Sequence, residues 1–332
     1  MKRLQVDGNR TVRIVEVPDP EPGPGEVLVK TAVSALCGSE LGAYRREQAM
    51  NGNGGHEAAG TVVKLGPGVT GLEVGRRVGL SAVAGCGRCA ACNEGKYTWC
   101  REYRTYANMH AELIAVPARA CHVLPGDVPW DAGVLLSGDG MGVPFHTSRN
   151  IHKADVRTVA VFGVGPVGLG NTLMQSYLGR EVIAVDVSPY RLTLARNLGA
   201  AHAVHAAEVD PVARILELTH GSGADVCIEC AGRPETLKQC FAAVRTGGQV
   251  LINGEQPSVE LSPSRDFIRR DITATGSWFY HFSEFPGMLQ LYRRGLDVAK
   301  LVTHRFPFSD ADAAFAAFDA GLTGKVLLTM AP

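Results

Sequence analysis

Six residues, Gly163-Val164-Gly165-Pro166-Val167-Gly168, constrain the fold of this chain more than any other stretch. They close TVAVFGVG (158–165), a near-continuous apolar run of the kind a strand needs when both faces of its parallel sheet are covered. Apolar residues at Val167, Leu169, Leu173, Met174 and Leu178 follow at helical spacing, and Gly179 can end that helix. Between strand and helix, Gly163 permits a tight turn, Gly165 lets a pyrophosphate approach the backbone, and Gly168 lets the two elements pack closely. The helix start at Pro166 and Val167 offers free N–H groups and the positive end of a dipole to phosphate. EVIAVDV (181–187) reads as a second buried strand, with Asp186 standing 18 residues past Gly168. A carboxylate there accepts hydrogen bonds from ribose hydroxyls and repels a 2′-phosphate, which points to NAD rather than NADP. Alone, the glycines would be a structural turn; the strand before, the helix after and the acid beyond carry the reading.

The alternation continues. Ser188-Pro189 supplies an N-cap oxygen and a ring preset for the first helical position, and Leu192, Ala195 and Leu198 form an apolar stripe before Gly199. ADVCIECAG, PETLKQCFAAV and GQVLING repeat strand, helix and strand, so a doubly wound parallel sheet is expected. The first third differs. PDPEPGPGEVLVKTAVSALCG and GTVVKLGPGVTGLEVGRRVGLSAV are short β-branched runs between Pro/Gly turns, the pattern of a small all-β barrel or sandwich. After ITATGSWF (272–279) come a helix, a polar turn, a second helix and a last strand, KVLLTM, too short a tail to be a domain and expected to return to the first one.

Composition removes whole classes of function. Lys plus Arg number 33 and Asp plus Glu 33 among 332 residues, so no basic excess offers itself to nucleic acid or an anionic membrane. With 45% hydrophobic residues the chain can bury a full core. No apolar run approaches the roughly 18 residues of a membrane-spanning helix, and MKRLQVDGNR lacks the apolar segment of a secretory signal, so a cytoplasmic protein is expected. Nine cysteines, an odd number, then argue for reduced thiols and metal ligands over a disulfide framework.

Four of them, Cys86, Cys89, Cys92 and Cys100, are spaced C-x2-C-x2-C-x7-C on a loop holding Gly85, Gly87 and Gly95. Such thiolates can close a tetrahedron around Zn²⁺ and leave no position for water, so the site stabilises and does not catalyse. A nucleic-acid zinc module would pair two knuckles across a longer gap and carry more cations than Arg88, Lys96 and Arg101. Cys227 and Cys230 fall on a predicted strand where i and i+3 face opposite ways, and with Cys121 and Cys240 they read as core. His146 and His152 read as structural. Cys37 in LCGSE, His56-Glu57 in GGHEAAG and Asp139 in LLSGDGMGVPFH are bland singly, and no local spacing unites them.

Taken in order, PGPGEVLVK, Cys37-Gly38-Ser39, Gly55-His56-Glu57, the four-cysteine lobe, the Gly163–Gly168 turn with Asp186, Asp225-Val226 through Gly232, and Gly324-Lys325-Val326 resemble the zinc-dependent medium-chain dehydrogenase/reductase superfamily. The nearest branch is that of polyol and secondary-alcohol enzymes similar to sorbitol dehydrogenases. The resemblance implies an α/β architecture: a GroES-like β-rich catalytic domain over 1–142 with a structural zinc lobe at 86–100, a Rossmann NAD-binding domain over 143–277, and a return to the catalytic domain over 278–332. It implies Cys37, His56 and Asp139 as catalytic zinc ligands, Asp139 standing where the family usually has Cys or Glu, with one position open for substrate. Glu57 would be able to visit the metal and Ser39 would begin a proton relay. Val143 would back the nicotinamide ring, and Lys325 would lie near the cofactor. Two zinc ions and one NAD per chain, a small alcohol or polyol substrate, and a homodimer or homotetramer follow from the same resemblance. Three departures stand out: Glu40 replaces the usual Asp, Gly42 occupies a position where some members place a relay His, and only eighteen residues separate Cys37 from His56. The implied reaction is hydride transfer from a zinc-polarised alcohol to NAD. Two other readings compete. A zinc-free quinone or enoyl reductase of the same fold would lack Cys37 and His56, and a catalytically silent nucleotide-binding protein would need no open metal site.

Overall fold

Val159, Ala160, Val161 and Phe162 are wholly buried, as their unbroken apolar run requires, and they form the strand Thr158–Phe162. The computed structural model describes residues 1–331. The chain divides into two units, Met1–Gly142 with His281–Pro332, and Val143–Tyr280.

In the second unit, Thr158–Phe162 lies inside a six-stranded sheet among the described residues. The order is His202–His205, Glu181–Asp186, Thr158–Phe162, Ala224–Glu229, Val244–Ile252 and Thr273–Gly276, every pairing parallel. The chain works outward from Thr158–Phe162 to His202–His205 and then crosses back to Ala224–Glu229. The order therefore reverses between two neighbouring strands, and their carboxyl ends flank the crevice where ligands of such sheets bind. Helices Pro166–Tyr177, Pro189–Asn197, Pro211–Leu218 and Pro234–Ala243 each begin with proline in the first turn, where its missing N–H costs nothing. Ser188 and Asp210 cap two of them, accepting from Arg191 N and from Val212 N and Ala213 N respectively. Ala160, Phe162, Ile183, Val204, Ile215, Leu237, Phe241 and Val250 belong to one buried cluster on this sheet. Asp225 ties its start together: one oxygen accepts from Arg157 N and Thr158 N at 2.9 Å, the other from Arg245 Nε at 2.6 Å.

The first unit is built on the strand Glu26–Ala35, which pairs antiparallel with Ala58–Leu65, Leu113–Pro117 and Lys325–Thr329. Arg77–Leu80 and Cys121–Val123 extend the sheet on one side. On the other, Val302–Pro307 pairs in parallel with Lys325–Thr329. That edge strand corrects the sequence reading, which puts only a polar turn between the last two helices. Its sequence, VTHRFP, is half-buried or exposed throughout, so it carries no apolar alternation to betray it. Leu4, Val6, Leu36, Tyr44, Phe315, Phe318, Val326 and Leu328 form the buried cluster beneath this part of the unit.

Candidate active site

Cys37 stands just past the strand Glu26–Ala35 and caps the 3-10 turn Gly38–Glu40. His56 and Glu57 immediately precede Ala58–Leu65. Because those strands are paired, with Ser34 opposite Ala58, the two loops leave the sheet side by side. Asp139 joins them from the turn between helices Trp130–Ser137 and Gly142–Arg149. The pleat of one sheet and the end of one helix thus collect residues that no sequence spacing connects.

Donor atoms of Cys37, His56, Glu57 and Asp139 all lie within 4.8 Å of one another. Asp139 Oδ2 is 3.0 Å from His56 Nε2 and 3.4 Å from Cys37 Sγ. His56 Nδ1–H donates to the Gly54 carbonyl at 2.8 Å, which leaves Nε2 as the free lone pair. Nε2 and Asp139 Oδ2 then face each other as two acceptors, an arrangement that only a proton or a metal cation between them makes favourable. Asp139 Oδ1 is buried with no hydrogen-bond partner. Thiolate, imidazole and carboxylate together suit zinc, so the donor set fits that metal. Burial pushes His56 down, but the charges of Cys37 and Asp139 outweigh it and hold its pKa well above the ordinary value. Asp139 is held low, because His56 and Lys325 outweigh the penalty of its burial.

Glu57 is wholly buried. Its Oε1 pairs with Lys325 Nζ, and its Oε2 accepts from Gly140 N at 3.3 Å. Burial pushes the Glu57 carboxyl up against the pull of Lys325. Lys325, expected near the cofactor, is itself 2% exposed and directed at Glu57, a partner 268 residues away that sequence reasoning missed. No local signal could have found it. Glu40, the departure noted in the ligand loop, turns one oxygen onto Cys37 N at 2.8 Å. Ser39 is exposed, and around Gly42 a Cβ would meet nothing within 4 Å.

The second metal-ligand group is Cys86, Cys89, Cys92 and Cys100, whose sulfurs also lie within 4.8 Å of one another. Cys89 Sγ to Cys92 Sγ is 3.5 Å and Cys86 Sγ to Cys92 Sγ is 3.9 Å. Four sulfurs about 2.3 Å from one zinc stand about 3.8 Å apart, so these spacings fit. Gly85 is required by space, since a Cβ there would lie 2.3 Å from Cys92 Sγ. Backbone N–H groups of Arg88 and Cys89 pull the Cys86 thiol down to about 6, while burial pushes Cys92 up to about 12.

In the second unit, Gly163 has φ 84°, and a Cβ there would lie 2.7 Å from that of Ala231. A Cβ on Gly168 would lie 1.9 Å from Gly163 O, so helix and strand meet only because that position is bare. Gly165 caps the helix without a side chain, leaving the first-turn N–H groups of Pro166–Tyr177 uncovered by any side-chain cap. Asp186 accepts from Val164 N at 2.8 Å and Ser188 N at 2.9 Å, which holds its carboxylate at the mouth of the turn. Arg191, which the sequence reading passes over, has a buried Nε without a partner and an Nη1 3.8 Å from where a Gly165 Cβ would be. A bare cradle beside an unpaired guanidinium N–H fits a dinucleotide pyrophosphate. Val143 is 6% exposed in the helix Gly142–Arg149, so little of it is open to a ring.

A family model described as an alcohol dehydrogenase GroES-like domain matches residues 23–126, and one described as a zinc-binding dehydrogenase matches 166–294. The L-threonine 3-dehydrogenase of Pyrococcus furiosus is 32% identical over 96% of this chain and 94% of its own. The chain belongs to the zinc-dependent medium-chain dehydrogenase superfamily. Among solved structures, an alcohol dehydrogenase from Thermus sp. ATN1 is 26% identical and superposes with a TM-score of 0.91 over 100% of both chains. The 2R,3R-butanediol dehydrogenase of Bacillus subtilis, also 26% identical, gives 0.85 over 99% of each. In a zinc-dependent dehydrogenase the two ligand groups and the glycine turn are compatible with zinc and NAD, and the fold is the α/β pairing of a GroES-like and a Rossmann domain. Among the described residues of this family member, no helix is long and apolar enough to cross a membrane.

Proposed function

We propose that this chain oxidises a secondary alcohol or polyol at Cys37, His56 and Asp139, with NAD as the hydride acceptor. The observation that carries the reading is the convergence of those three donors on one point, with Asp139 Oδ1 buried and unpaired beside them. When bound, zinc held there would polarise the substrate hydroxyl as a Lewis acid, and NAD held by Gly163, Gly165, Pro166, Val167 and Gly168 would accept the hydride. The protein sets the charge. Lys325 neutralises Glu57, so Cys37 and Asp139 contribute the two negative charges that balance a divalent ion. Ser39, being exposed, can take the substrate proton and pass it straight to water, which suits a chain with Gly42 in place of a relay His. Asp186 binds the ribose hydroxyls with lone pairs left over from Val164 and Ser188 and repels a 2′-phosphate. Four cysteines hold a second, structural zinc.

The test is reduction of NAD, and separately NADP, across polyols, vicinal diols, 3-hydroxy amino acids and simple secondary alcohols, alongside metal analysis. Turnover of at least one class with NAD preferred, and two zinc ions per chain, is expected. Asp139→Ala should lose one zinc and at least about a hundredfold of turnover, more than the loss of an outer-shell partner causes. Retention of both zincs and near-normal turnover in that variant overturns the reading.

A further inference from the structure

Glu40 and His110 are buried, at 3% and 0% exposure, and neither is a ligand. Glu40 Oε1 accepts the Cys37 N–H at 2.8 Å, and Glu40 Oε2 accepts His110 Nε2–H at 2.8 Å. His110 Nδ1 in turn meets Ser34 Oγ at 2.8 Å, on the strand from which Cys37 emerges. The same two side chains brace the other ligand loop by contact. A Cβ on Gly54 would lie 3.4 Å from Glu40 Cγ, and one on Gly55 would lie 2.5 Å from His110 Cδ2. Gly54 carries the carbonyl that orients His56. Asn53 locks that loop onto the backbone of His110, its Oδ1 accepting from Gly55 N at 3.1 Å and His110 N at 3.3 Å, and its Nδ2 donating to His110 O at 3.3 Å.

One side chain, that of Glu40, therefore hydrogen-bonds the Cys37 backbone and lies beside Gly54, whose carbonyl orients His56. Both its hydrogen bonds are shielded from water, where such bonds are strongest and most directional.

We propose that Glu40 and His110 form a buried strut that holds the Cys37 and His56 loops at metal-binding separation, as positioning residues for the three-ligand centre. The inference rests on the reading of Cys37, His56 and Asp139 as one metal site. Its test compares the wild type with Glu40→Met, His110→Phe and the double variant Glu40→Met/His110→Phe. Three readouts apply: zinc content, the rate of zinc loss to a chelator, and the visible absorption of the cobalt-substituted protein. Each single variant should speed zinc loss from the three-ligand centre by about 10–100-fold, the usual effect of an outer-shell partner, and shift the cobalt bands of that centre. Loss from the four-cysteine site should be unchanged. The double variant should be no worse than the poorer single one, because either change already breaks the strut. It also leaves neither Glu40 nor His110 buried without the other, so it carries the test if a single variant does not fold. Folded variants with zinc loss within about twofold of wild type and an unshifted cobalt spectrum overturn the strut alone. A wild type that holds only the four-cysteine zinc overturns the metal-centre reading and the strut with it.

Discussion

A lysine ammonium shut away from water is tolerable only beside its counter-charge. Lys325 has one in Glu57, and the charges of Glu57, Cys37 and Asp139 raise its pKa against the pull of burial. Removing one partner of such a pair leaves the other charge buried alone, a loss of about 3–5 kcal/mol, whereas an apolar replacement of both is often neutral. Lys325→Met should therefore lower the denaturant midpoint of its unit sharply, and Lys325→Met/Glu57→Gln should recover most of the loss; equal midpoints for the two variants would refute the pairing as a source of stability. At this scale the sequence was legible where chemistry is local. Cys86, Cys89, Cys92 and Cys100 are close in sequence and come together around one point. Lys325 and Glu57 are 268 residues apart and Glu40 and His110 are 70 apart, so only the folded sheet brings either pair into contact.

Elements show how a few side chains govern whole loops and strand starts. In the lobe around Cys86–Cys100, the segment has few apolar residues to bury, and a zinc held by the four cysteines would supply its core. Cys100→Ser should lose one zinc and lower the thermal midpoint, while residual folded protein keeps its turnover; loss of turnover with both zincs present would refute a purely stabilising role. Asp225 gives a second test. Hydrogen bonds from Thr158 N, Arg245 and Arg157 N outweigh its burial and depress its pKa in the folded state. A depressed carboxylate contributes stability above its unfolded pKa of about 3.9 and loses it as pH falls through the folded value. Asp225→Asn should thus lower the thermal midpoint near neutral pH and flatten its decline below about pH 4, read by calorimetry over an acid series. An unchanged acid profile would show that the clamp adds nothing. The parallel strands of this unit were legible because apolar runs such as Thr158–Phe162 are buried on both faces. Val302–Pro307 was not, because an edge strand keeps one rim and much of both faces in water and so needs no apolar pattern.

Across the whole molecule, the fold class followed from a change of rhythm along the chain, short strands between Pro/Gly turns giving way to strand–helix alternation. What rhythm does not encode is which distant strands become neighbours, and that choice assembles the candidate metal centre. It has a consequence in time. Lys325–Thr329 lies between Val302–Pro307 and Glu26–Ala35, so an inner strand of the first unit is synthesised only after the whole of the second unit. At about 5–20 residues per second, Lys325 leaves the ribosome roughly 10–40 s after Gly142. Throughout that interval the Val33–Ala35 end of the strand has an unpaired rim open to other nascent chains, and Glu57 lacks the cation it is to be buried with. The parallel sheet of Val143–Tyr280 is complete before then and needs nothing that follows it. A metal centre at Cys37, His56 and Asp139 would thus gain the Glu57–Lys325 pair beside it only once Lys325 has emerged, and slow translation of Val143–Tyr280 would lengthen the exposure of the strand end that Leu327–Thr329 is to cover.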